Sequence, residues 1–250
     1  MKITRKSSAF TLIELLVVIT IIAILASMVF TGLGRTRTRA NQTASLNNLR
    51  QWGVAFSASL TDFDNRLPTT GMAGETVDFT DKNAWFNRVP QYINELPLSD
   101  PAIAERVPKR GQKSLWVNPA TPGELVDKHM HPPTQWLFSY AMNGWLSNAA
   151  EPTLSRTRID STATTVLMGE QGDDKSELRA ESVRAYFGGT TDALNDKGNY
   201  AHFLFVDGRV ELIRRDVFDP RFNTSTTSPI DSETIAPGFS YVPFKGATLD

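Results

Sequence analysis

At the start of the chain, a short charged segment is followed by a long apolar segment. Lys2, Arg5 and Lys6 precede a stretch from 10 to 33 in which Glu14 is the only charged residue. As a helix, these 24 residues rise about 1.5 Å each, or roughly 36 Å, which exceeds the roughly 30 Å of a bilayer hydrocarbon core. The pattern therefore predicts a helix that can span a membrane.

A second pattern extends this helix. There is no proline between positions 10 and 67, and a helical stripe with spacings of three and four follows the apolar stretch: Leu46, Leu49, Gly53, Phe56, Leu60 and Phe63. The stripe predicts one helix from about Phe10 to Phe63, whose second half is amphipathic and packs on a globular part. Gly32 and Gly34 favour local softening in its middle, and turn formers from 62 to Pro68 predict its end.

The remaining chain predicts a small sheet with loop-rich insertions. Residues 69–133 are irregular, and short stretches rich in aromatic or β-branched residues predict strands at 136–142, 164–168 and 183–187. Asp207-Gly208 lies between two apolar runs in 201–213 and predicts an antiparallel hairpin with a type I′ turn. The predicted fold class is α+β, with a long N-terminal helix packed by a small antiparallel β-sheet.

Composition narrows the function classes. The 250 residues carry a formal net charge of -1, without the basic excess that a duplex-binding surface needs, so no nucleic-acid partner is expected. The chain has no Cys, which excludes a disulfide framework, thiolate metal sites and a cysteine nucleophile.

Glu14 is the anomaly of the apolar stretch. A carboxylate at membrane depth costs a few kcal/mol, so it calls for a partner or for a position near the membrane surface. The stretch itself fits a secretory signal, a permanent anchor or a segment cut before its apolar core. Ala23, Ala26 and Ser27 lack the spacing of a signal peptidase site, and basic residues on both sides leave the orientation open.

The segment Ser8-Ala9-Phe10-Thr11-Leu12-Ile13-Glu14-Leu15-Leu16-Val17-Val18-Ile19 resembles the class III signal of type IV prepilins and type II secretion pseudopilins. The resemblance implies that the prepilin peptidase cleaves between Ala9 and Phe10 on the cytoplasmic side and N-methylates Phe10. Ala9 stands where most members of the family have Gly. The apolar segment is retained in the mature chain.

The resemblance also gives Glu14 a role in assembly, as the fifth residue of the mature chain. Its carboxylate would meet the N-terminal ammonium of a neighbouring subunit, and the pair would set the stagger between subunits. The implied partners are the prepilin peptidase, other pilin or pseudopilin subunits and an inner-membrane assembly platform. The implied location is the inner membrane, with a single span and a periplasmic globular domain, followed by a periplasmic or extracellular filament.

Three internal segments, at 46–51, 139–143 and 201–213, look like parts of a pseudopilin subfamily with an H-x9-D-G element. Lys197 stands where that element has its histidine, and His202 lies only five residues before Asp207.

Candidate chemistry outside the leader is sparse. The weak calcium candidates are Asp62 and Asp64, or Asp173 and Asp174 together with Glu177, but neither group has an EF-hand pattern. The expectation is therefore no cofactor, with calcium as the exception to test. His129 and His131 fit a surface loop better than a metal site, the five Trp residues fit a core better than a sugar platform, and no catalytic motif is present, so no enzyme is predicted.

The sequence thus predicts five segments: a leader at 1–9, a transmembrane and filament-core helix at 10–34, its amphipathic continuation at 35–64, a globular α+β domain at 65–215 and a loop-rich tail at 216–250. The predicted function is that of a structural subunit of a type IV pilus-like or type II secretion filament. The alternative is a single-pass, membrane-anchored periplasmic binding protein or enzyme.

Overall fold

A computed structural model describes seven parts of the chain: residues 11–74, 76–106, 114–119, 138–147, 153–173, 177–178 and 200–214. The chain divides into two compact units, Met1–Ala40 and Asn41–Asp250. The strand predicted at 183–187, the histidines at 129 and 131 and the tail at 216–250 lie outside the described residues.

The first helix, α1, extends from Leu12 to Asp62, 51 residues in all. The prediction of one long helix is therefore confirmed, and the helical assignment is continuous through Gly32 and Gly34, where the sequence favoured softening. The helix ends where Asp64 and Asn65 adopt left-handed backbone angles, with φ of 50° and 59°. Among the described residues, no helix combines the length and hydropathy needed to cross a membrane.

The predicted apolar stripe on the second half of α1 is buried at most of its positions. Leu49, Phe56 and Leu60 are at most 4 % exposed, and Trp52 joins them at 0 %. Phe63 differs from the prediction, since it is 38 % exposed. It lies beyond the end of the helix, where the guanidinium of Arg88 covers its ring at 4.2 Å from the centroid.

After α1, the described residues form short helices and seven strands. The helices are α2 (Trp85–Arg88) and four 3₁₀ turns (Pro90–Ile93, Pro101–Arg106, Gly144–Leu146 and Arg156–Arg158). The strands are β1 (Met72–Ala73), β2 (Thr76–Val77), β3 (Phe138–Asn143), β4 (Val166–Asp173), β5 (Glu177–Leu178), β6 (Tyr200–Phe205) and β7 (Val210–Arg214).

Within the part of the chain that the structure describes, the main sheet has five strands in the order β5-β3-β4-β6-β7. All its pairs are antiparallel except the short β3–β5 pair, and β1 and β2 form a separate antiparallel pair. The strands predicted at 136–142 and 164–168 correspond to β3 and β4, and β4 extends five residues further, to Asp173. An N-terminal helix followed by small antiparallel sheets and loops is an α+β, pilin-like fold.

The hairpin predicted at 201–213 is present as β6 and β7, paired from Tyr200–Arg214 to Leu204–Val210. A type I′ turn needs a positive φ at both Asp207 and Gly208. Gly208 has a positive φ of 92°, but Asp207 is not among the described non-glycine residues with positive φ, so the turn is not type I′. The Gly208 N–H donates to the carbonyl of Phe205 at 2.9 Å. The loop is a type I turn closed by a left-handed glycine, a common alternative for Asp-Gly hairpins.

The core lies between the second half of α1, α2 and the sheet. Its largest fully buried side chains are Trp52, Trp85, Tyr140, Phe56, Phe86, Phe138, Phe203, Phe205 and Leu49. The rings of Trp52, Trp85 and Trp116 contact one another, with centroids 4.9 to 6.0 Å apart. These three tryptophans therefore belong to the core, as the sequence favoured. Trp136 lies outside the described residues.

Candidate functional site

The N-terminal end of α1 is closed by a reciprocal pair of side chains. The Oε2 atom of Glu14 accepts hydrogen bonds from the backbone N–H of Thr11 at 2.9 Å and from its hydroxyl at 2.7 Å. In return, the backbone N–H of Glu14 donates to Thr11 Oγ1 at 3.3 Å. This is a capping box, which satisfies two backbone donors that a helix start otherwise leaves open.

The capping box gives Glu14 a role within its own chain. The carboxylate starts the helix within its own chain, besides any contact with a neighbouring subunit. The pattern Thr-x-x-Glu before an apolar run predicts this arrangement, so the sequence held the signal although the interpretation of Glu14 did not use it. Ala9 and Phe10, the predicted cleavage and methylation positions, lie outside the described residues.

The first turns of α1 expose an apolar surface. The exposed large apolar side chains from Leu12 to Met28 are each between 45 and 84 % accessible. They are Leu12, Ile13, Leu15, Leu16, Val17, Val18, Ile19, Ile21, Ile22, Ile24, Leu25 and Met28. A contiguous apolar surface of this extent marks a site of membrane or protein contact.

A buried polar cluster forms the second candidate site, inside the unit that begins at Asn41. Tyr140 on β3 pairs directly with Glu170 on β4, and β6 places His202 beside Glu170. The Oε2 atom of Glu170 accepts from the backbone N–H of His202 at 2.8 Å, and Oε1 lies 3.0 Å from His202 Nδ1. Both side chains are at most 3 % exposed.

Two further donors reach the same carboxylate. Asn118 Nδ2 donates to Glu170 Oε1 at 3.1 Å, and the hydroxyl of Ser45 on α1 donates to the same oxygen. Ser45 Oγ is also 2.8 Å from the hydroxyl of Tyr140. Because a carboxylate only accepts, the single hydroxyl proton of Ser45 goes to Glu170 and Tyr140 donates to Ser45.

The surroundings of this cluster define where its protons lie. Burial, and then the charge of Glu170, raise the pKa of the Tyr140 phenol above its ordinary value, so the phenol stays protonated. The His202 ring faces a carboxylate through Nδ1, which therefore carries hydrogen. Asn48, one turn after Ser45, also donates from Nδ2 to the Tyr140 hydroxyl at 3.3 Å.

This cluster was not predicted from the sequence. The only signal was Glu170, a charged residue within the apolar strand that begins at Val166. The resemblance to the H-x9-D-G element drew attention to Lys197, which lies outside the described residues. His202, five residues before Asp207, is the histidine that the fold places beside a buried acid.

The calcium candidates lie only partly within the described residues. Asp62 Oδ2 accepts from the Tyr92 hydroxyl at 2.8 Å, and Asp64 follows it in the turn after α1. Asp173 ends β4, and Asp174 lies outside the described residues. Within those residues, no group of three or more His, Cys, Asp or Glu side chains could hold a metal ion, and calcium binding stays an untested prediction.

In the comparison with known proteins, the match lies at the N-terminus. No curated protein and no solved structure matches the chain. Residues 4–30 match the family model described as the prokaryotic N-terminal methylation motif. That range includes Ala9, Phe10, the capping pair and all of the exposed apolar surface from Leu12 to Met28. The chain therefore carries a prokaryotic N-terminal methylation motif, consistent with the signal of type IV prepilins and pseudopilins.

Proposed function

We propose that the protein is a structural subunit, a pilin or pseudopilin, of a type IV pilus-like or type II secretion filament. The observation that carries this proposal is the methylation motif at residues 4–30, which supports a type IV pilin-like or pseudopilin precursor. The exposed apolar surface of α1 from Leu12 to Met28 supports it further, because packing among subunits would cover that surface.

The first step is processing at the cytoplasmic face of the inner membrane. The prepilin peptidase hydrolyses the bond between Ala9 and Phe10, releases residues 1–9 and methylates the new amine of Phe10. This removes Lys2, Arg5 and Lys6 and no acidic residue, so the formal net charge changes from -1 to -4, the terminal amine aside. The precursor is anchored by the apolar stretch at 10–34, with the globular part in the periplasm.

Assembly is the second step and uses Glu14. The carboxylate of Glu14 lies in the first turn of α1 and is held by Thr11. The ammonium of Phe10 in a neighbouring subunit supplies the opposite charge. In an apolar filament core each charge is costly alone, so subunits associate at the stagger that brings the two together. The other partners are further subunits and an inner-membrane assembly platform.

The role we propose is structural. The methylation motif points to a structural pilin family that is generally without enzymatic activity. The buried cluster around Glu170 does not offer an accessible nucleophile, since Ser45 is 0 % and His202 3 % exposed. Major and minor subunits share the processing step, and abundance in isolated filaments distinguishes them.

Processing gives the sharpest test. The full-length protein is co-expressed with an active prepilin peptidase, extracted from membranes and analysed by intact mass and N-terminal sequencing. We expect a chain that begins at methylated Phe10. Ala9→Gly introduces the residue most common in the family and should raise the cleaved fraction, whereas Ala9→Leu, with a bulky side chain beside the bond, should lower it.

A known prepilin expressed in the same cells controls for peptidase activity. If that control is cleaved while this chain keeps Lys2, Arg5 and Lys6, the filament proposal is wrong. The alternative, a single-pass membrane-anchored periplasmic binding protein or enzyme, then becomes the better interpretation.

A further inference from the structure

The backbone donors at the start of α1 bond to side chains and not to carbonyl groups. In a continuing helix each N–H donates to the carbonyl four residues earlier, so the N–H of Glu14 would donate to the carbonyl of Phe10. It donates instead to Thr11 Oγ1 at 3.3 Å, and the N–H of Thr11 donates to Glu14 Oε2 at 2.9 Å. The carbonyl of Thr11 accepts from the N–H of Leu15 at 3.3 Å, as that of an N-cap residue does. The donors that would extend α1 toward the N-terminus are therefore occupied.

The neighbouring sequence offers another helix start on one side only. Ser8 precedes the box, and Ser is at least as good an N-cap residue as Thr. A helix capped by Ser8 would include Ala9 and Phe10 as its first two residues. On the other side, positions 12–19 contain no Ser, Thr, Asp, Asn or Gly, and unsatisfied N–H groups in apolar surroundings are costly. Loss of the Thr11 cap would therefore lengthen α1 rather than shorten it.

Such a lengthening would involve the bond that the peptidase cleaves. Hydrolysis adds water across the amide between Ala9 and Phe10, which breaks the C–N bond and gives the carboxylate of Ala9 and the amine of Phe10. In a helix capped by Ser8, the carbonyl of Ala9 would accept from the N–H of Ile13. Proteases cleave preferentially where the backbone is exposed and not held in such bonds. A longer helix would therefore protect the bond.

We propose that the capping box fixes the start of α1 at Leu12 and so keeps the Ala9–Phe10 bond outside the helix. Thr11 is then a positioning residue for cleavage, which acts through the backbone and not on the reacting atoms. Phe10 and Leu15 occupy the N′ and N4 positions of a hydrophobic staple, which favours the same helix start. The inference rests on the proposed processing by the prepilin peptidase.

Two substitutions at Thr11 and one control test this role. Thr11→Val removes the hydroxyl at nearly constant size, whereas Thr11→Ser keeps it. Thr20→Val is the matched control, because it makes the same change in the same helix at a hydroxyl that donates to the carbonyl of Leu16 at 2.6 Å. Full-length precursors in detergent are mixed with purified prepilin peptidase, and intact mass at successive times gives the initial rate of cleavage.

Nuclear magnetic resonance measures the helix start directly. The dipeptide Ala-Phe occurs twice in the chain, at 9–10 and 55–56. Labelling of alanine with ¹³C at the carbonyl and of phenylalanine with ¹⁵N therefore selects these two peptide bonds in the full-length protein. Ala55 lies within α1, so its carbonyl shift is the helical reference for the carbonyl of Ala9 in the same sample.

We expect Thr11→Val to lower the initial rate several-fold, up to the roughly fivefold effect that loss of one N-cap corresponds to. The carbonyl shift of Ala9 should move toward that of Ala55. Mature chain still accumulates, because cleavage is slowed and not abolished. Thr11→Ser and Thr20→Val should keep the parental rate and the parental shift.

Equal rates for Thr11→Val and a cleaved parent would overturn the inference. Slower cleavage without a change in the Ala9 shift would also overturn it, because the hydroxyl would then act on the peptidase and not on the helix start. A rate loss of equal size in Thr11→Ser or Thr20→Val would do the same. An uncleaved parent beside a cleaved control prepilin would instead reject the proposed function.

Discussion

Tyr140 is a buried phenol whose proton has a defined acceptor, Ser45 Oγ at 2.8 Å. Burial and the Glu170 charge raise the pKa of this phenol in the folded protein, whereas the unfolded chain titrates at about pH 10. Above that pH the unfolded state loses a proton that the folded state keeps. Stability should therefore fall as the pH rises above about 10, by up to about 1.4 kcal/mol per pH unit from this group.

Tyr140→Phe should separate this effect from general alkaline unfolding. At pH 8 the variant should be less stable by about 1 kcal/mol, because Ser45 loses a hydrogen bond in the core. Above pH 10 its stability should fall less steeply than that of the parent. Urea unfolding followed by tryptophan fluorescence between pH 8 and 11 measures both. Parallel curves for the two proteins would show that Tyr140 does not titrate on unfolding.

Tyr92→Phe is the control for that series. The Tyr92 hydroxyl donates to Asp62 at 2.8 Å at an exposed position, where a hydrogen bond to a carboxylate contributes little. Its removal should change the stability at pH 8 less than the removal of the Tyr140 hydroxyl does.

Contacts of single residues also show which parts of the structure the sequence can predict. The contact between Thr11 and Glu14 spans three positions, so a local motif predicts it. The contact between Glu170 and His202 spans 32 positions, and it depends on which strands pair and in which register. Neither the pairing of the strands nor their register can be predicted from the local sequence. Only the presence of a charge in an apolar strand indicated that Glu170 has a partner.

At the scale of elements, α1 lies close to β6 at Gly53. A Cβ atom added there would lie 2.9 Å from Leu204 Cδ1. A larger side chain must displace Leu204 from a core position that is 0 % exposed. Gly53→Val should therefore reduce the free energy of unfolding by about 1–3 kcal/mol, the usual cost of overpacking.

Ser57→Val provides the matched comparison, since position 57 lies one turn further along α1 and is exposed. It introduces the same β-branched residue in the same helix without a clash, and its effect should stay within about 0.5 kcal/mol. Urea unfolding of both variants measures the difference. Equal effects would mean that the β-branched residue, and not the contact with Leu204, determines the cost.

Elements with a strong periodic or turn signal were predicted well, and the others were not. The length of α1 follows from its apolar period and the absence of proline, and the hairpin follows from Asp207-Gly208. The turn type differed because three residues, 206–208, connect Phe205 to Arg209, which is one more than a type I′ turn allows. The two-residue strands β1, β2 and β5 are too short to produce a pattern, and only their pairing defines them.

For the whole molecule, the two ends of α1 serve different purposes. The second half holds the globular unit together, through the stripe and the Ser45 contact. The first half exposes its apolar side chains, and Glu14 is the only charged residue between positions 10 and 33. The fold class could be predicted because both halves follow from composition and period. The packing of the proposed filament could not be predicted, because it depends on partner chains.

The capping role of Glu14 and its proposed role in assembly can be separated by substitution. Glu14→Ala removes the charge and the two hydrogen bonds that the carboxylate accepts from Thr11. Thr11→Ala removes the two hydrogen bonds of the Thr11 hydroxyl but keeps the charge and the bond from the backbone N–H of residue 11 to Glu14, at a cost of about 1 kcal/mol to the start of the helix. If the carboxylate neutralises the ammonium of a neighbouring subunit, Glu14→Ala should still enter the membrane fraction but fail to join filaments, while Thr11→Ala should assemble.

Membrane fractionation and the amount of subunit in sheared, purified filaments measure these outcomes, with processing verified by intact mass. Incorporation of Glu14→Ala at the parental level would reject the assembly role. Failure of both variants would assign the defect to the helix start, because both open the capping box through loss of the bond between the Thr11 hydroxyl and Glu14, whereas only Glu14→Ala removes the charge. Assembly of Thr11→Ala alone isolates the charge, since both chains keep the same apolar surface from Leu12 to Met28.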